Sequence, residues 1–90
     1  MAANILIVDN EKEVVDLVKL GLDIEGYNCL EAYSGRGALE VLKKTSDIDL
    51  VLLDIMMDDM NGFETLREIR AMPQYDNVPV LMLTAKPEDG

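Results

Sequence analysis

Apolar residues in this chain follow two rhythms. Ile5-Leu-Ile-Val8, Leu50-Val-Leu-Leu53 within the stretch Asp49 to Met57, and Val78-Pro-Val-Leu-Met-Leu83 are continuous apolar runs, the second closed by Asp54. They are too short for most helices and rich in branched residues, as expected of strands covered on both faces. Asn28 to Ala32 is a weaker fourth run. Between them the spacing changes to a helical one. Val14, Val15, Leu17, Val18 and Leu22 recur at three- and four-residue intervals before Gly26 supplies a left-handed stop. Ser34 offers an N-cap for a helix with Ala38, Leu39, Val41 and Leu42 inside and Lys43 and Lys44 at its negative end. Asp58 to Gly62 is a polar loop, after which Asn61 and Glu64 make a capping-box start for a helix holding Phe63, Leu66 and Ile69. Pro73 to Asn77 is the next loop, and Pro79 stands where the loss of one ladder donor is most tolerable. The order β-α-β-α-β-α-β predicts a single α/β domain over residues 1–90 with a parallel sheet and right-handed crossovers.

In such a sheet the carboxyl ends of the strands share one edge, where open α/β folds bind ligands. Asp9, Asn10, Asp54 and Thr84 each follow or close an apolar run, so they converge there. Placing the first and third runs side by side puts two acids within reach of one divalent cation. An oxygen-rich site of this kind suits magnesium, which takes one or two carboxylates and keeps several waters. The chemistry suggested is phosphoryl transfer, with Asp54 the leading candidate. Structural roles compete for the same residues. Asp9 can cap the first helix as well as hold metal, Asn10 with Glu13 also fits a capping box, and Thr84 could simply close its strand. Met56, Met57 and Met60 read as packing.

Composition narrows the classes. Eighteen acidic against eight basic residues give a net charge of −10, which repels nucleic-acid backbones and anionic lipid and favours cations and basic partners. Direct nucleic-acid binding is not expected. The first residues carry no basic-then-apolar leader, and no apolar run approaches the roughly 20 residues that span a bilayer, so the expected location is the cytoplasm. Histidine is absent and Cys29 is the only cysteine, which leaves catalysis to carboxylates, hydroxyls and lysines and makes Cys29 a packing residue.

Four segments together, Ile5-Leu-Ile-Val-Asp-Asn-Glu11, Asp49 to Met57, Met60-Asn-Gly-Phe-Glu64 and Val78 to Ala85, resemble the receiver domain of two-component response regulators. The resemblance implies a flavodoxin-like sheet in the order 2-1-3-4-5. It implies that Asp54 accepts a phosphoryl group from a sensor histidine kinase or phosphotransfer protein, as a nucleophile forming an acyl phosphate. Magnesium would sit between Asp54, Asp9, Asn10 and the backbone carbonyl of Met56. Thr84 would be the switch hydroxyl that moves toward the phosphoryl oxygens and signals to an output domain or protein.

Three departures accompany the resemblance. Asn10 stands where the family usually has a second acid, which lowers the charge offered to magnesium. Asp58 replaces a common proline and should loosen its loop. The third concerns length: the family continues with a helix, a fifth strand and a final helix, and it carries there a lysine whose role Lys86 does not inherit. A four-strand form is expected to leave a hydrophobic sheet edge open to homodimerisation. Two rival readings follow. One is a receiver-like interaction module that is not phosphorylated. The other is a small aspartyl phosphatase, which lacks a second acid directly after Asp54 to serve as general acid.

Overall fold

The computed structural model describes residues 2–83. Four strands alternate with three helices: β1 (Asn4–Val8), α1 (Lys12–Ile24), β2 (Asn28–Ala32), α2 (Gly35–Lys44), β3 (Leu50–Asp54), α3 (Gly62–Arg70) and β4 (Val80–Leu83). All pairings are parallel and the strand order is β2-β1-β3-β4, the expected topology as far as the description runs. Side chains alternate across the pleat and sort the core into two layers. Leu6, Val8, Val51 and Leu53 face α2 and α3, together with Ala38, Leu42 and Ile69. Ile5, Ile7 and Leu52 face α1 and its Val15.

Each helix starts and stops for a local reason. Gly26, at φ 96°, ends α1 in the left-handed region, where Tyr27 N–H reaches back to Leu22 O at 3.1 Å and Gly26 N–H to Asp23 O at 3.0 Å. Ser34 Oγ accepts from Gly37 N–H at the start of α2, and Asn61 and Glu64 form the reciprocal capping box of α3. The start of α1 departs from expectation. Its N-cap is Glu11, with no side-chain cap, and the Asn10–Glu13 box does not form.

Other details shift as well. Pro73–Tyr75 winds into a 3₁₀ turn that the sequence suggests only as a loop, because Tyr75 is drawn into the core. Tyr75 is 2% exposed; its hydroxyl donates to Thr45 O at 2.6 Å and accepts from Ile48 N–H at 3.5 Å. Leu17 and Phe63 belong by spacing to buried stripes, yet they are 71% and 57% exposed, each lying just beyond the arc its helix buries. Met56 is likewise an exposed side chain rather than packing, unlike Met57, which packs against the larger core. Among the described residues, no helix is long and apolar enough to cross a membrane.

Candidate functional site

The pairing of β1 with β3 sets Val8 beside Leu53, so the residues that follow them, Asp9 just past β1 and Asp54 at the end of β3, arrive at the same end of neighbouring strands. Both carboxylates are buried, at 7% and 6% exposure. Burying a charged carboxylate costs several kcal/mol unless it is paired or hydrogen-bonded. The chain offers partial compensation: Asp9 Oδ1 accepts from Glu11 N–H at 2.9 Å, and Asp54 Oδ1 from Met56 N–H at 3.4 Å. The Asp54 carboxyl is nevertheless pushed above the usual carboxylate range, first by burial and then by the charge of Asp9, against weaker opposition from the Met56 and Ile55 N–H groups.

These residues border an open pocket of about 740 Å³, lined also by Asn10, Glu11, Val14, Met57, Asp58, Asn61 and Leu83. Asn10 is exposed there, and with the capping box unformed its amide is not committed to α1. Thr84 and Lys86 lie outside the described residues. Leu83 pairs with Asp54 in the β3–β4 register, so β4 runs to the same edge.

Glycine fixes how closely the next helix approaches. A side chain at residue 62 would come within 2.7 Å of Asp54 O, and Gly62 N–H instead donates to Ile55 O at 2.8 Å. The loop between Asp54 and α3 is thus folded tightly back on the strand end. One residue of that loop goes unnoticed in the sequence. Asp59 reaches away from the pocket and accepts from Gly35 N–H and Arg36 N–H at the start of α2. Only an unassigned acid in a polar loop marks it in the sequence, since its partners lie 24 and 23 residues away.

Asp9 and Asp54 offer two buried carboxylates, and Asn10 and Met56 border the same pocket. Among the described residues no cluster of three acidic, histidine or cysteine side chains could hold a metal, so a cation here would rely on two carboxylates, as magnesium does. The model of the response regulator receiver domain matches residues 5–90. The chain belongs to that family. Among sequence relatives, the transcriptional regulatory protein YvrH of Bacillus subtilis is 46% identical over 89 residues, covering 98% of this chain and 36% of YvrH. Among solved structures, the N-terminal domain of a response regulator receiver protein from Methanoculleus marisnigri superposes with TM-score 0.87 at 48% identity, over 94% of this chain and 68% of that one. TrrA of Thermotoga maritima, crystallised with Mg²⁺ and beryllium fluoride, superposes with TM-score 0.85 at 36% identity, over 93% and 70% of the two chains. This receiver domain therefore spans about a third of the curated relative's length. Receiver domains are regulatory modules of two-component phosphorelay signalling, and the flavodoxin-like fold expected from the sequence is the one observed.

Proposed function

We propose that Asp54 is the phosphoacceptor of this receiver domain, taking its phosphoryl group from a sensor histidine kinase or phosphotransfer protein. The observation that carries this reading is the burial of Asp54 beside Asp9 at the ends of adjacent strands. An Asp54 carboxylate oxygen attacks phosphorus, the P–N bond of the donor phosphohistidine breaks, and the imidazole departs with its electron pair and is protonated by solvent. The product on this chain is an acyl phosphate. Burial raises the basicity of the Asp54 carboxylate and strips part of its water, both of which favour attack. Asp9, Asn10, Asp54 and the Met56 carbonyl would hold magnesium, which when bound supplies positive charge against the transferring group. Thr84 contributes the hydroxyl that turns toward the new phosphoryl oxygens and passes the state to an output domain or protein. No observation favours the unphosphorylated interaction module or the phosphatase.

Intact mass after incubation with acetyl phosphate and magnesium tests the reading, with wild type and Asp54→Asn side by side. A phosphate-sized gain confined to wild type is expected; an equal gain in both, or none in a folded wild type, overturns it. The same variant carries a pH prediction. The folded chain holds the Asp54 proton more tightly than the unfolded chain, so folding is penalised as pH rises through the raised value. Asp54→Asn should therefore melt higher at neutral pH, by about 4–8 °C for each 1 kcal/mol relieved. That advantage should fade as pH falls into the usual carboxylate range.

A further inference from the structure

We infer that Asp59 is a positioning residue for the acidic pocket: its carboxylate ties the loop carrying Met56 to the start of α2, so that pocket and helix respond together. The first N–H groups of a helix have no partner within it. In α2, Ser34 Oγ takes the Gly37 N–H at 2.9 Å and Ser34 O the Ala38 N–H at 3.0 Å. Gly35 and Arg36 are left to Asp59, whose Oδ1 accepts from Gly35 N–H at 3.1 Å and Oδ2 from Arg36 N–H at 2.9 Å. Both carboxylate oxygens are engaged, one on each of two successive amides. A two-point contact of this kind fixes orientation as well as distance.

Packing reinforces the tie. A side chain at residue 35 would collide with Met60 and with Thr65 Oγ1, so the absence of one lets the loop lie directly on the helix end. The Gly62–Ile55 hydrogen bond closes the two ends of the loop on each other at the strand end, and Asp59, inside the loop, pins it to α2. Met56 and Asp58 stand between these pins and line the pocket, whereas Asp59 does not. Although burial pushes the Asp59 carboxyl upward, the N–H groups of Arg36, Gly35, Met60 and Asp59 itself outweigh it and hold the group below its usual range, as expected of an acid at a positive helix end. Removing Asp59 releases the outer pin without touching a reacting atom.

The consequence for phosphorylation rests on the assignment of Asp54 above, and the test separates the two. Wild type, Asp59→Ala and Asp59→Asn are compared in the full chain by two readouts. The first is the rate of phosphate mass gain from acetyl phosphate with magnesium. Asp59→Ala is expected to be slower by about ten- to a hundredfold, the scale of a misplacement near 1 Å. Asp59→Asn, which keeps one acceptor, should fall in between. The second readout needs no phosphorylation: the amide resonances of Gly35 and Arg36 should shift when Asp54→Asn is introduced into wild type, and stay in place when it is introduced into Asp59→Ala. A wild-type rate in Asp59→Ala overturns the inference, as does an Asn variant no faster than Ala, or an amide shift that persists without Asp59. If wild type gains no phosphate, the Asp54 reading fails and the amide shifts still decide the role of Asp59. If Asp59→Ala does not fold, Asp59→Asn with its single remaining acceptor decides by the same readouts, with a wild-type rate and undiminished shifts overturning the inference.

Discussion

The two faces of the sheet are built from the same kinds of residue, yet they are finished differently. On the α2–α3 side, Leu6, Val8, Val51, Leu53 and Ile69 are all fully buried, and Tyr75 is buried with them. On the α1 side, Ile5, Ile7 and Val15 are covered, but Leu81 on the neighbouring strand is 57% exposed and shares that face by its register with Leu52. On α1 itself Leu17 at 71%, Leu20 at 58% and Ile24 at 74% exposure are open as well. The difference teaches that a hydrophobic position reports a preference for cover, and the supply of cover is a separate matter. Two helices serve one face among the described residues, and one serves the other.

Substitutions on each face should separate these cases. The largest effect is expected for Leu53→Ala, which opens a cavity in the doubly covered layer and should cost about 2–5 kcal/mol, measured by urea unfolding. Tyr75→Phe on the same face keeps the ring and deletes one hydroxyl, leaving Thr45 O without its donor; about 1–3 kcal/mol is expected, with urea unfolding again the check. On the open face, Leu20→Ser should change stability by less than about 0.5 kcal/mol. Its measurable effect is on association: sedimentation at rising concentration should show less self-assembly than wild type. A loss at Leu20 comparable to that at Leu53 would erase the comparison.

Much of this was legible in the residues. The continuous runs marked the strands, and Ser34, Gly26 and the Asn61–Glu64 pair marked helix ends, because each acts through bonds within a few residues. Asp9 and Asp54 were findable for a different reason: each ends an apolar run, and strand ends in a parallel sheet share an edge. Misreadings arose where distant chain decides the outcome. Leu17 and Phe63 fit helical periodicity, but which arc is buried depends on where the sheet lies. Glu11 displaced Asn10 as the cap of α1 because Asp9, held at the strand end, accepts the Glu11 N–H. The 3₁₀ turn at Pro73 follows from the Tyr75 hydroxyl bonding to Thr45 and Ile48, which nothing local announces. Asp59 is the clearest case, since its partners lie on another helix.

The sheet order also sets a schedule for synthesis. β1 is made first but stands between β2 and β3, so one of its edges waits for residues 50–54 to emerge. At about 5–20 residues per second the delay is roughly 2–9 s, during which the apolar strand Ile5–Val8 has an unpaired side. Parallel pairing cannot shorten that wait, because its partner is distant in sequence. A nascent chain halted between β2 and β3 therefore exposes its most buried strand, and the interval before β3 arrives is when aggregation of this protein should be most sensitive to the pace of translation.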